Sequence, residues 1–494
     1  MERPTAVVIG AGLGGLAAAA RLAHAGFSVT VLERHEVPGG RAGLWESEGF
    51  RFDTGPSLVL MVEYWRQLFE GLGRRLEDYV SLVQLDPSYR IHYPDGSTLE
   101  VTSRLNRLLE NLERVEPGVT PRFLEFLARS GELYRKGLAF VDRNMHAPRA
   151  MFSLQHLSML LGTGALGGLR AMVGRYVRDE RLRGALTFQS LYLGLSPYDS
   201  LAVYSLLPYT EIAGGLYYPM GGMHRLVLAL DRLARELGAE IRYGAAAARI
   251  ERSTRRAAGV RLEDGSRVAA DVVVANSDLP YTYETLLGEK YPGIDRMDFS
   301  CSAVLMYLGV RRRYPGLLHH NLVVPSGMRE ACDDIFRRHR MPDDPPFYVC
   351  APSRTDPEVA PAGCEAVFVL VLAPSQHPAS PVDWSIEGPR VEARMLERLE
   401  RFGLEELRRH LVTKRVVTPD DFTRQFGNVR GEAFGLAHGF RQIGWLRPHN
   451  RHSRLDNLYF VGQSTHPGCG LPMVLISARC VAERILDEHP VRSA

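Results

Sequence analysis

Lysine is nearly missing from this sequence: Lys136, Lys290 and Lys414 are the only three, and the rest of the 60 basic residues are arginines. Codon bias accounts for such a skew, and arginine also forks onto phosphate and carboxylate in a way lysine does not; the count alone does not separate the two. Neither sign of charge is in excess, since 60 basic residues against 57 acidic ones give a formal +3. That balance is too even for the field of a nucleic-acid binder, so nucleic acid is excluded as a partner. Cysteine is scarce, and the six, at positions 301, 332, 350, 364, 469 and 480, form no CxxC pair and no small-domain disulfide framework. Their scatter fits a reducing cytosol. With no zinc-type spacing and no HExxH helix, no metal is expected. Internal repeats and low-complexity tracts are lacking too. What remains, 494 residues with 45% hydrophobic and 24% charged side chains, describes a globular chain of two or three folding units with a large apolar core.

The chain is uncharged from Pro4 to Ala20, which hydropathy alone would read as a signal peptide or a membrane span. Glycine position argues otherwise. Thr5-Ala-Val-Val-Ile9 is a short β-type run, followed at once by Gly10-Ala-Gly12-Leu-Gly14-Gly15 and a helix-forming stretch from Leu16 to His24. A second apolar run, Ser28 to Leu32, ends in Glu33 and Arg34, and the whole is one βαβ unit. Gly10 permits the tight turn, Gly12 lets backbone approach a pyrophosphate, and Gly15 allows close contact between helix and strand. The unpaired N–H groups of the helix N-terminus then face the phosphate charge, and Glu33 accepts from a ribose hydroxyl. This predicts a dinucleotide site. Gly162-Thr-Gly164-Ala-Leu-Gly167 matches the same pattern but follows a helical stretch rather than a strand, so it is not read as a second site. One credible fingerprint favours flavin alone over flavin plus nicotinamide.

Two glycine-bearing loops follow. Pro38-Gly39-Gly40-Arg41 is suited to wrapping a diphosphate, with Arg41 as charge-assisted donor, and Gly49 to Pro56, which includes Gly55, is suited to laying backbone on a planar ring. Both also read as ordinary turns. Asp95-Gly96 and Asp264-Gly265, each flanked by alternation, predict two hairpins. Residues 122–177 read as largely helical. A helix is expected from Leu226 to Leu237, ending at Gly238, then a β-rich stretch in which Ala247 lies in a run of small residues that offers a ligand mainly backbone. Asp271-Val-Val-Val-Ala-Asn276 reads as a buried strand leading to a polar turn. Residues 300–440 mix strands such as Ala366 to Ala373 with the helix Val391 to Phe402.

The last segment, Asn457 to Ser477, carries Gly462-Gln463-Ser-Thr-His466-Pro467-Gly468-Cys469-Gly470-Leu471-Pro-Met473, a strand entering a glycine-rich turn that opens a helix. It resembles the C-terminal signature of the bacterial-type phytoene desaturase family, the flavin-dependent carotenoid oxidoreductases. The glycine turn at 10–15, Pro38 to Arg41, Asp53 to Pro56 and Met220 to Met223 resemble that family in order and spacing, so the likeness spans essentially the whole chain. Two positions depart from it: Gln463 stands where a small residue is usual, and Cys469 where Ser, Thr, Ala or Val is usual.

The resemblance implies an α/β fold of flavin amine-oxidase-like architecture. A Rossmann-type FAD-binding domain (1–75, 218–290 and 441–494) would be joined by a mixed-sheet substrate domain (76–120 and 291–440) and a helical, membrane-associated subdomain (121–217). It implies FAD, with Gly10, Gly12, Gly14, Gly15, Glu33 and Arg34 at the adenosine diphosphate half, Gly40, Arg41, Gly55 and Pro56 nearby, and Ala247 near adenine. Gly462, Gln463, Gly470, Leu471 and Met473 would lie by the ribityl chain and ring.

It also implies desaturation of an acyclic carotenoid by hydride transfer to flavin. Phytoene is the first-choice substrate; a later carotenoid or a terminal carbon is the alternative. Quinone or oxygen would be the electron acceptor. The allylic cation beside a conjugated polyene is comparatively stable, so a strong protein base is less necessary than in carbon-acid chemistry beside a carbonyl. His466 is the nearest titratable candidate, against a structural role in the Thr465–Gly468 turn, and Glu211 is a further one, against a solvent-facing carboxylate. Moving a C40 hydrocarbon from lipid into water costs on the order of 30 kcal/mol, so the enzyme is expected to dock peripherally on the cytoplasmic side of a bilayer. The charge-free segment from Ala150 to Leu169, flanked by Arg149, Arg170 and Arg175, suits shallow insertion among lipid head groups; an ordinary core helix is the other reading. A rival of another class is a Rab-escort-like lipid-binding protein without redox turnover.

Overall fold

A computed structural model describes residues 3–145 and 164–491. Its centre is a five-stranded parallel sheet. The run Thr5–Ile9 (β1) is buried from Ala6 onward and pairs on one side with Ser28–Leu32 (β2) and on the other with Val272–Ala275. Glu240–Arg242 and Leu458–Phe460 complete the edges. A strand with neighbours on both sides and helices over its faces has no wet side, which is why β1 and Val272–Ala275 read as continuous apolar runs rather than alternating ones.

The helix Leu13–His24 (α1) joins β1 to β2. Its alanines, Ala17 to Ala20, are fully buried; side chains this small let α1 pack closely against the sheet and against the helices His224–Glu236 and Leu471–Glu488.

A second, seven-stranded sheet runs in the order Leu411–Val417, Ser302–Val310, Glu365–Ala373, Phe347–Cys350, His320–Val323, Tyr89–His92, Thr98–Val101. All its pairings are antiparallel except that of His320–Val323 with Tyr89–His92. Both expected hairpins form, with Gly96 (φ +80°) and Gly265 (φ +86°) supplying the left-handed turn positions. Short helices, among them Leu206–Gly214, and the 3-10 turn Phe188–Leu193 pack over the second sheet. The expected helix at Val391 begins earlier, at Trp384, because Asp383 accepts a hydrogen bond from the Ser385 N–H and caps it. Most of the charge-free stretch from Ala150, with Arg149, lies outside the described residues. Among the described residues, no helix is long and apolar enough to cross a membrane.

Candidate active site

The carboxyl ends of the central strands open onto one cavity of about 1280 Å³. Gly10 follows β1, Glu33 follows β2, Asn276 follows Val272–Ala275 and Gly462 lies just past Leu458–Phe460; all four line it. This is where ligands bind in open parallel sheets. Two helices point their N-termini at it. α1 starts at Gly12 and Leu471–Glu488 at Gly470, neither has a side-chain cap, and neither carries an acidic residue in its first turn. Their free N–H groups are therefore available to an anionic ligand.

Glycine is required here by contact. A Cβ on Gly15 would lie 2.1 Å from the Gly10 carbonyl oxygen, and one on Gly55 would lie 1.9 Å from that of Arg41. Gly15 is thus the helix–strand contact and does not itself line the cavity. The Asn276 side chain wedges between the two glycine turns: a Cβ on Gly12 would meet its Nδ2 at 2.8 Å, one on Gly14 its Oδ1 at 2.7 Å, and one on Gly462 its Oδ1 at 3.3 Å. The turns at opposite ends of the chain therefore share one wall.

Around this wall the other expected residues converge. The Gly39 N–H donates to the Ala11 carbonyl at 2.9 Å, laying the Pro38–Arg41 loop on the first turn. Glu33 is buried; its Oε2 accepts from the Ala11 N–H at 2.7 Å and its Oε1 from the His35 N–H at 3.0 Å. The Ala245 N–H donates to the Glu33 carbonyl at 2.8 Å, and Ala247, two residues on, lines the same cavity. Arg34 donates to the Gln425 carbonyl. Gly10, Gly12, Gly14, Glu33, Arg34, Gly40, Arg41, Gly55, Pro56, Ala247, Gly462, Gln463, Gly470, Leu471 and Met473 all line the cavity.

Gln463, one of the two departures from the family pattern, has a partner of its own: oriented by its hydrogen bonds, its carboxamide oxygen accepts from the Arg41 guanidinium and from the Gly435 N–H. Burial lowers the Arg41 pKa, and the carboxyls of Asp278 and Glu432 oppose that shift. Asp278 accepts from the Ser464 hydroxyl, and its other oxygen is buried without a partner. Burial and the neighbouring Asp278 push the Glu432 carboxyl upward.

His466 turns away. It does not line the cavity; its Nε2 pairs with the Arg143 carbonyl at 2.9 Å, and burial lowers its pKa to about 4. Its side-chain bond thus reaches residue 143 rather than its own turn. Glu211 is not solvent-facing, contrary to one of its two expected readings. It is 1% exposed, and its Oε2 accepts from the Tyr89 hydroxyl at 2.8 Å and from Gln189 Nε2 at 2.9 Å. Burial raises it to about 7. Tyr89 lines the cavity, and Glu211 stands behind it. Of the flanking arginines, Arg170 pairs with Glu180 and lies over the Tyr198 ring, while Arg175 is exposed.

Asn276, Asp278, Glu432 and Arg447, whose guanidinium donates to the Gln463 carbonyl at 2.6 Å, are not among the expected site residues. The first two were within reach, since they follow a recognisable buried parallel strand at its carboxyl end. The others sit in loops without a pattern.

The remainder of the cavity wall, built from the second sheet and the helices over it, is predominantly apolar, with Leu305, Leu322, Leu370, Phe188 and Leu207 among its side chains, but charged residues such as Lys136, Arg181, Arg329 and Glu330 also line it. Its volume exceeds the ~300–1,000 Å³ of a common small-molecule site, which leaves room for a cofactor and a long second occupant.

Residues 13–314 match the family model described as flavin containing amine oxidoreductase. A zeta-carotene-forming phytoene desaturase of Myxococcus xanthus is 48% identical over 97% of this chain and 93% of its own length. The chain belongs to the bacterial-type phytoene desaturase family. A 4,4'-diapolycopene oxygenase of a Methylomonas species is 37% identical over 98% of each chain. Among solved structures, putrescine oxidase bound to putrescine shares the fold at a TM-score of 0.62 and 14% identity, covering 99% of each chain. A Rab GDI of Plasmodium falciparum does so at 0.57 and 10%, covering 98% of this chain and 99% of its own. The fold alone therefore does not separate a putrescine oxidase from a Rab GDI; the sequence relatives point to the oxidoreductases. The chain is an FAD-dependent oxidoreductase of the carotenoid-desaturating kind, and the glycine cradle, the uncapped helix N-termini and Arg41 fit that cofactor.

Proposed function

We propose that the chain desaturates an acyclic carotenoid, phytoene, while docked on the cytoplasmic face of a membrane. One observation carries this reading: the cavity that holds both glycine turns and Glu33 is lined, away from them, mainly by hydrocarbon side chains. We assign Gly10, Gly12, Gly14, Glu33, Arg34 and Ala247 to the adenosine diphosphate half of FAD, with Gly15 supporting the turn. Gly40, Arg41, Gly55 and Pro56 take the diphosphate and the approach to the ring, and Gly462, Gln463, Gly470, Leu471 and Met473 the ribityl chain and ring. The domain boundaries given above follow the same assignment.

Bound FAD supplies a hydride acceptor. The protein's own side chains exclude water and hold the polyene extended along the apolar wall. Glu211, half ionised near neutral pH behind Tyr89, is a group able to take up the proton released. A quinone or oxygen is the final electron acceptor.

Incubating the enzyme with phytoene in lipid vesicles, with FAD and a quinone or oxygen, followed by chromatography with mass detection, tests the reading. Products absorbing further to the red without added oxygen are expected. Unchanged phytoene overturns it, and an oxygenated end group would favour a terminal-carbon oxidation such as the name of the Methylomonas relative describes.

A further inference from the structure

The second sheet buries a group of donor atoms that the oxidoreductase reading does not use. His320 opens the strand His320–Val323 and stands directly opposite Cys350, the last residue of Phe347–Cys350; His319 immediately precedes it. One donor atom from each of His319, His320 and Cys350 lies within 4.8 Å of the others. The three residues are 5%, 1% and 3% exposed.

The two imidazoles are set in the same way. His319 Nδ1 lies 2.7 Å from the Thr355 hydroxyl, and His320 Nδ1 lies 2.5 Å from the Tyr348 hydroxyl. The Tyr348 hydroxyl also pairs with Ser57 at 2.9 Å, so it can donate there and accept from His320. If each Nδ1 carries the proton, each Nε2 presents a lone pair. Both Nε2 atoms are buried and have no hydrogen-bond partner. A buried ring nitrogen without a partner loses its hydration and receives nothing in return. A ring held by a hydrogen bond at one nitrogen and free at the other is how metal-binding histidines are oriented.

We propose that His319, His320 and Cys350 bind one transition-metal ion of the zinc type through two Nε2 atoms and Sγ. Nitrogen and sulfur donors suit zinc, whereas calcium and magnesium need oxygen. Zn–N bonds of about 2.0–2.1 Å and a Zn–S bond of about 2.3 Å draw tetrahedral donors to roughly 3.5 Å apart, so the three side chains close in slightly on binding. Burial pushes the Cys350 thiol up to about 12 in the absence of a cation; binding displaces that proton to solvent, leaving a thiolate on the ion. Three protein ligands leave a fourth position open. Because His320 and Tyr348 line the cavity, the ion stands at the wall of its apolar half. Sequence spacing gives no warning of such a site, since the donors meet only through strand register.

The FAD-loaded enzyme, stripped with a chelator, reloaded with one equivalent of zinc and desalted, is measured by elemental analysis and zinc X-ray absorption. We expect about one zinc per chain, with nitrogen and sulfur neighbours at the distances above. Cys350→Ser removes the sulfur shell, and His319→Ala, which takes away one of the three ligands, loses its zinc on desalting while flavin absorbance reports an intact fold. Should His319→Ala lose its flavin, the Cys350→Ser spectrum alone decides. Zinc that washes off the parent enzyme, or a bound zinc whose neighbours are unchanged in Cys350→Ser, overturns the proposal.

Discussion

Asn276 shows how little room the site leaves at the scale of one residue. Its carboxamide already lies 2.8 Å from where a Gly12 side chain would begin, so Gly12→Val must displace either Asn276 or the turn. Overpacking of that kind costs about 1–3 kcal/mol, and FAD affinity should fall by roughly 10- to 100-fold, as read by flavin fluorescence on titration. Unchanged affinity would mean that the cofactor does not approach this turn. Glu211 makes a prediction about pH. Folding raises its carboxyl from 4.5 to about 7, so between those values the folded chain holds a proton that the unfolded chain has released. Stability from this group is therefore present below about 4.5 and is lost as pH rises towards 7. Glu211→Gln keeps a neutral side chain throughout. Its melting temperature should fall less than that of the parent between pH 5 and pH 8, by a margin equivalent to about 2–4 kcal/mol; parallel pH profiles would show that the carboxyl is not buried in this way.

At the scale of elements, the C-terminal turn is held by an arginine that makes no ion pair among the described residues. Arg447, 1% exposed, donates to the carbonyls of Leu436, Ala437, Gln442, Gln463 and Thr465. It thereby fastens the loop 436–442 to the turn that carries Gln463. Arg447→Met takes a donor from five carbonyls, of which that of Ala437 keeps Gln442 Nε2, and should cost about 3–5 kcal/mol in urea denaturation. Lysine should restore little of it, because an ammonium has three donors and no planar fork. A loss under ~1 kcal/mol would mean that water replaces the guanidinium without penalty.

Nothing in the sequence marks Arg447, one of many arginines in a loop without periodicity. The βαβ unit, by contrast, was legible to within a few residues because its signals are local: a β-branched run, glycines at fixed offsets and an acid closing the second strand. The two Asp-Gly hairpins were legible for the same reason.

Across the whole molecule, legibility fails where distant segments meet. The glycine turns at residues 10–15 and 462–470 could each be read, yet that they share the Asn276 wall depends on sheet order, which brings Leu458–Phe460 beside Val272–Ala275 and that strand beside β1. The Arg41, Asp278, Glu432 and Gln463 cluster and the His319, His320 and Cys350 group arise in the same way. The cavity they surround joins a polar, glycine-lined end to a mainly hydrocarbon-lined one, and the proposed function requires a carotenoid in the second to touch flavin in the first. Rapid mixing of FAD-loaded enzyme with phytoene vesicles under anaerobic conditions tests this contact within one turnover. Bleaching of the oxidised flavin band and growth of the longer-wavelength polyene absorption should share one rate and rise in equal amounts. Desaturated product forming while the flavin band stays constant would contradict it.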